Sequence, residues 1–342
     1  MRRWQAIAGL CIGAWCLIAA FASVTWAETI RFSPGEEAPL AYNPTTGIYE
    51  QRLNLDPLYC AEEPCIELLH NIFEPLVSTA ADQTVKPELA VRWERLDPRT
   101  YRFWLRRNVV FHNGEPFDSA AVIFSLSRAS AAFGQTAWFP KIDGVQAVDE
   151  FTVDVVLRRP DSVFLHRLAN IGLILPPRYF REVGQRRFGA EPVGTGPFRF
   201  TAWDRARREI KLEANRSYWR TGYPELDGVV YAYMDSDEAL DRLIAGDLHL
   251  IRRLHPRKTR RFMETDAGYV VKAWLPQLVI GPFNLLKPAT PLRDLRVRRA
   301  INLAINREHL VRYGATGNGR VLTGYTTPED RNRADLDPYM FD

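Results

Sequence analysis

The residues best equipped for chemistry in this sequence do not assemble into a catalytic pattern. Six histidines are present, but no His-Glu-x-x-His, Gly-x-Ser-x-Gly or Gly-x-x-x-x-Gly-Lys run occurs. Zinc hydrolysis, serine-nucleophile acyl transfer and P-loop phosphate chemistry therefore lack their signatures. His112 stands before Asn113-Gly114 and reads as a turn residue rather than a general base. Gly194-x-Gly196 has neither a third glycine nor a preceding strand, so dinucleotide binding is unsupported. No histidine or second cysteine pair stands at ligand spacing from Cys60 and Cys65, so no metal site is expected. Asp241 and Arg242 read as a solvated helix face. The basic run Arg252-Arg253, Arg257-Lys258 and Arg260-Arg261 reads either as an exposed helix and loop surface or as a positive rim favouring anionic ligands. The expectation is a non-enzyme without a cofactor.

The elements around these residues are mixed. Val193-Gly-Thr-Gly-Pro-Phe198 predicts a sharp bend, with positive φ at Gly194 and Gly196. Phe198 and Phe200, then Ile210 and Leu212, alternate with charged residues and predict two half-buried strands. Asp235 opens a helix with Glu238 three residues on, an apolar stripe of Ala239, Leu240, Leu243 and Ile244, and Gly246 at its end. Upstream, Thr29–Phe32 predicts a short strand, and Pro34, Gly35, Pro44 and Gly47 a long loop. Cys65–Val77 predicts an amphipathic helix with Ile66, Leu69, Ile72, Phe73 and Leu76 on one stripe. Thr100–Arg106 and Phe151–Leu157 predict strands, and between them Asp118 caps a helix carrying Val122, Leu126 and Ala129 on one face. Such excursions and returns fit a bilobed α/β binding protein better than a regular βαβ array.

The N-terminus reads as a secretory signal: Arg2 and Arg3, an uncharged run from Trp4 to Ala27, and Thr25-Trp26-Ala27 ending on a small residue. An uncleaved anchor is the alternative, because such a run is long enough to span a bilayer. Trp15 before Cys16 gives no lipoprotein context. Cleavage after Ala27 leaves 315 residues, enough for two packed domains, and lowers the net charge from +4 to +2. No basic-aromatic platform for nucleic acid accompanies that charge. Cys60 and Cys65 then remain. An oxidising periplasm would permit a disulfide between them; the alternative is two unpaired small residues at a loop–helix junction.

The order and spacing of several motifs carry a resemblance. They are Leu55-Asp56-Pro57; Ile72-Phe-Glu-Pro-Leu-Val77; Lys86-Pro-Glu-Leu-Ala90 with Trp93; Tyr101–Arg106; and Val110-Phe-His-Asn-Gly-Glu-Pro-Phe117. They continue with Val193–Phe198, Asn215-Arg-Ser-Tyr-Trp219, Leu243-Ile-Ala-Gly-Asp247, Leu292–Ala300 and Ala304–Glu308. Together they resemble the bacterial extracellular solute-binding proteins of family 5, the periplasmic dipeptide-, oligopeptide- and nickel-binding components of ABC importers. Ala121 and Asn306 stand where the family usually has acidic residues.

The resemblance implies a type II periplasmic binding fold with an extra subdomain. Residues 28–55 and 190–265 would form the sheet of lobe I, 56–189 the subdomain, and 266–342 part of lobe II, which C-terminal truncation would leave incomplete. It implies a periplasmic monomer that captures peptides, or a nickel chelate, haem, oligosaccharide or opine, and delivers them to an ABC permease. A truncated fragment that does not transport is the reading from another class. By the same resemblance, Tyr42 and Asn43 after the first strand, Trp138 in the subdomain, and Trp274, Phe283 and Asn284 at the crossing to lobe II are candidate ligand contacts.

Overall fold

The structure is a computed structural model describing residues 29–35, 38, 40–43, 48–59, 63–133, 139–252, 254, 256–271, 281–314, 317 and 319–322. It divides into a first unit ending at Val271 and a second beginning at Lys272.

The first unit opens with β1 (Thr29–Ser33), β2 (Leu40–Asn43) and β3 (Ile48–Leu53), then α1 (Glu63–Ile72). Three short elements of sheet follow, β4 (Val77–Thr79), β5 (Val85–Pro87) and β6 (Ala90–Arg95), leading to β7 (Thr100–Leu105) and α2 (Ser119–Phe133). Next come β8 (Ile142–Asp149), β9 (Thr152–Leu157), α3 (Phe164–Ile171) and α4 (Pro177–Ala190). The unit ends with β10 (Phe198–Asp204), β11 (Glu209–Ala214), β12 (Gly228–Ala232), α5 (Ser236–Ala245), β13 (Leu250–Ile251) and α6 (Pro256–Met263).

Two sheets dominate. One has the order β10-β11-β12-β1-β13, with β1 parallel to both β12 and β13 and the hairpin β10-β11 antiparallel on one side. The other is antiparallel, β6-β7-β9-β8. The antiparallel sheet buries one face, as the period of two dictates, whereas β12 of the first sheet is buried along its whole length. Phe198, Ile210, Leu212, Tyr231 and Phe32 of the first sheet pack with Leu68, Leu69 and Ile72 of α1 and Phe188 of α4. Phe103, Val153 and Val155 of the second pack with Val122 and Leu126 of α2 and Leu168 of α3.

Local signals account for several boundaries. Asp235 accepts hydrogen bonds from the Asp237 and Glu238 amides, and Gly246 ends α5 in the left-handed region at φ 84°. Asp118 accepts from the Ala120 and Ala121 amides at the start of α2. Two expectations change. Residues 34–47 are not one long loop, because β2 and β3 pair as an antiparallel hairpin. The helix expected over 65–77 ends at Ile72. Pro75 disfavours helix in the residue before it, Glu74 turns into the core, and Val77 joins a strand.

In the second unit, α7 (Leu295–Ala304) starts at Asp294, whose carboxylate accepts from the Arg296 amide. Asn306 accepts from the His309 amide and so performs the cap that the family's acidic residue would supply there.

Candidate functional site

Parallel β strands present their carboxyl ends on one side, where crevices form in α/β sheets. Here those ends belong to β1, β12 and β13. The backbone is stitched across them: Met234 N donates to Gly35 O at 3.1 Å and Arg252 N to Ser33 O at 3.1 Å. Gly35 has φ 133°, a conformation glycine alone adopts readily, so the backbone turns sharply as it leaves β1 for β2. Tyr42 and Asn43 lie on β2, opposite Tyr49 and Ile48 of β3. The two residues expected in a loop therefore sit on a hairpin strand.

Trp138, Trp274 and Cys60 lie outside the described residues. Cys65 is buried and disulfide-bonded. Phe283 and Asn284 belong to the second unit. Phe283 is half-buried, and the Asn284 carboxamide oxygen is engaged locally with the Leu286 amide at 3.1 Å.

A cavity of about 430 Å³ adjoins the same edge, between α5 and the sheet, with Arg31, Arg208, Glu209, Asp235, Glu238 and Arg242 among its walls. Arg31 pairs with the buried Glu209, and Arg242 with Glu238 at 2.6 Å. Four arginines and three carboxylates line it, and its wall has little of the apolar surface on which a small-molecule site depends. Among the described residues no cluster of metal-ligating side chains occurs and no helix is long and apolar enough to cross a membrane.

Among the described residues of the basic run, three are paired within the first unit. Arg252 is buried and faces Glu67 of α1 at 3.2 Å, Lys258 pairs with Asp237 at 2.9 Å, and Arg261 with Asp241 at 2.7 Å. Asp237 and Asp241 of α5 thus neutralise Lys258 and Arg261, while Arg260 is exposed.

The motifs that carried the resemblance have a structural task. Gly194 and Gly196 are not in the left-handed region, contrary to expectation. They are glycines because the backbone presses against the end of α1. A Cβ on Gly194 would lie 2.0 Å from the Ile72 carbonyl oxygen, and one on Gly196 would lie 2.6 Å from that of Asn71. His112 clasps the same segment. Its Nδ1 accepts from the Gly194 amide at 3.3 Å, which places the ring proton on Nε2, and Nε2 donates to Gly196 O at 2.9 Å. Burial pushes its pKa down to about 4, outweighing the raising effect of the Gly196 bond, and Arg199 lowers it further. Glu115 reaches across 63 positions to accept from the Arg178 amide at 2.8 Å, and also accepts from the Tyr179 amide at 3.1 Å, capping α4. Asp56, wholly buried, takes two hydrogen bonds from Arg128, whose guanidinium lies 4.4 Å from the Phe180 ring centre.

Glu74 is the hub of the remaining motifs. It is 3% exposed and accepts from the Tyr218 hydroxyl at 2.6 Å and from Trp219 Nε1 at 3.0 Å. Sequence reasoning missed this hub, because nothing local in Ile72–Val77 signals a partner so far along the sequence.

This architecture and these motifs match a known family. The model for "Bacterial extracellular solute-binding proteins, family 5 Middle" covers residues 84–341. The chain belongs to that family. It is 27% identical over 335 residues to the glutathione-binding protein GsiB of Pectobacterium atrosepticum, covering 96% of this chain and 59% of that one. Among solved structures it is similar to NikZ of Campylobacter jejuni in complex with Ni(L-His), with a TM-score of 0.74, 19% identity, and coverage of 92% of this chain and 61% of that one. It is also similar to MoaA of A. tumefaciens R10 in complex with mannopinic acid, with a TM-score of 0.64, 26% identity, and coverage of 83% and 57%. The chain thus spans about three fifths of the length of the relatives it matches. The fold is α/β, that of the type II periplasmic binding proteins.

Proposed function

We propose that this protein is the solute-capturing component of an ABC importer, taking peptides or similar small solutes in the periplasm by closure of two lobes and delivering them to a membrane permease. The family match over residues 84–341 carries this reading. Hinge closure works as a ligand switch because contacts on both lobes stabilise only the closed form. In this reading residues 1–27 are a cleaved signal peptide, 28–55 and 190–265 form the lobe I sheet, 56–189 the subdomain, and the second lobe begins near 266. Tyr42 and Asn43 would meet the ligand from lobe I, Trp138 from the subdomain, and Trp274, Phe283 and Asn284 from the second lobe. Cys60 would be the partner of Cys65. The protein acts as a monomer and performs no reaction on its cargo.

The GsiB relative makes glutathione, itself a short peptide, the first solute to test. The mannopinic acid complex supports a second reading, an opine as cargo. Titration calorimetry of the protein against glutathione, a mixed di- to pentapeptide pool and mannopinic acid separates them. Saturable binding of glutathione or peptide is expected, with a stabilisation of about 2.7 kcal/mol at a hundredfold excess over Kd. Binding of mannopinic acid alone would transfer the assignment to opines, and stabilisation by none of the three would refute the capture of peptide-like solutes.

A further inference from the structure

Two carboxylates are buried at the junction between the two large sheets. Glu74 follows α1, and Glu88 precedes β6; they are 3% and 2% exposed. Glu74 is fully engaged: Tyr218 and Trp219, from the loop after β11, donate to it, while its backbone oxygen accepts from Ile174 N at 3.0 Å. Glu88 is not. Its Oε1 is buried without a hydrogen-bond partner, and the nearest cation, Arg220, stands 3.8 Å away, beyond hydrogen-bond length. The Thr195 hydroxyl also faces Glu74 and is buried outside hydrogen-bond geometry. Arg106, after β7, spends its Nε on the Glu88 backbone oxygen at 3.2 Å, and its guanidinium lies 3.9 Å from the Trp219 ring centre. Arg220 lies 5.0 Å from the same ring centre. Among the described residues, Arg106 and Arg220 are the cations facing the pair, Tyr218 is the other titratable group, and neither cation donates to a carboxylate of the pair within hydrogen-bond length.

Two buried like charges lacking direct cationic donors repel in a medium that screens them poorly. We propose that Glu74 keeps a proton beside Glu88, and that this proton, by removing the like-charge repulsion between the two buried side chains, holds the loop carrying Tyr218 and Trp219 against the antiparallel sheet, making the first unit a proton-sensitive clasp. Desolvation first, and Glu88 second, push the Glu74 carboxyl up from 4.5 to about 8, against the lowering effect of the facing Tyr218, Thr195 and Trp219 side chains. The sign follows from linkage. Between those two values the native state holds a proton that the unfolded protein has lost. The stability contributed is therefore full below about 4.5 and is lost as the pH rises to about 8.

Glu74→Gln tests this, because a carboxamide stays neutral, still accepts from Tyr218 and Trp219, and offers an N–H toward the unpartnered Glu88 oxygen. The melting temperature of the native protein should fall as the pH rises from about 6.5 to 8.5, above the range in which His112 titrates. In Glu74→Gln that fall should be lost, and the variant should melt above the native protein at about pH 8.5. In the native protein the infrared band of a protonated carboxyl should be present at about pH 6 and absent at about pH 9.5. Glu88→Gln should move its disappearance at least one pH unit toward acid, and this holds as a test even if Glu74→Gln fails to fold. An equal loss of stability in Glu74→Gln at every pH, or an unchanged band in Glu88→Gln, would overturn the proposal.

Discussion

The Tyr218 hydroxyl donates to the Glu74 carboxylate at 2.6 Å across 144 positions of sequence. With Trp219 on the same carboxylate, this bond joins the loop after β11 to the end of α1. The joint lies beside the Gly194–Gly196 segment, where the backbone re-enters the five-stranded sheet. The family motifs converge here on holding two sheets together, and the candidate solute edge is placed by the sheet they secure.

Gly194 is where that joint tolerates least change. An alanine methyl would have to displace the Ile72 backbone carbonyl, which a rotamer change cannot accomplish. Gly194→Ala should destabilise by more than about 2 kcal/mol in urea unfolding. Gly144→Ala, with nothing within 4 Å of the new atom, is the control and should change stability by less than about 1 kcal/mol. Equal effects at both sites would refute the close-packing explanation.

His112 sets an acid limit. Its folded pKa of about 4 lies below its ordinary 6.5, so the neutral ring contributes stability in full above pH 6.5. That contribution is lost as the pH falls toward 4, at most about 1.4 kcal/mol per pH unit. Because the Glu74 proton opposes this trend below pH 6.5, the slope is read as the difference in stability between the native protein and His112→Gln from pH 7 to 4, and the variant should also be less stable at pH 7. A variant retaining the full native slope would place the titration elsewhere.

The Asp56–Arg128 pair offers a separate test. Arg128→Leu leaves a fully buried carboxylate without its two guanidinium bonds and should cost about 3–5 kcal/mol. Asp56→Asn combined with Arg128→Leu should recover much of that loss, because the stranded charge is gone. A double-mutant cycle in urea measures the coupling, and additivity of the two changes would show that the pair contributes nothing through its charge.

Features that depend on neighbours in the sequence were legible before any fold was known. The alternation of Phe198–Leu212 marked β10 and β11, and Asp235 and Gly246 marked the ends of α5, because caps and strand periods act over a few residues. The motif order identified the family for the same reason: each motif is short and locally spaced. What the motif residues do was decided by tertiary structure. Gly194 and Gly196 are set by a carbonyl of α1 rather than by φ, and Glu115 caps a helix that begins 62 positions later. Glu74, which Pro75 already disfavours in a helix, is turned into the core to meet Tyr218 and Trp219. A buried polar group must find its partner wherever the backbone returns beside it, and that return is created by packing apolar faces together, so no local pattern encodes it.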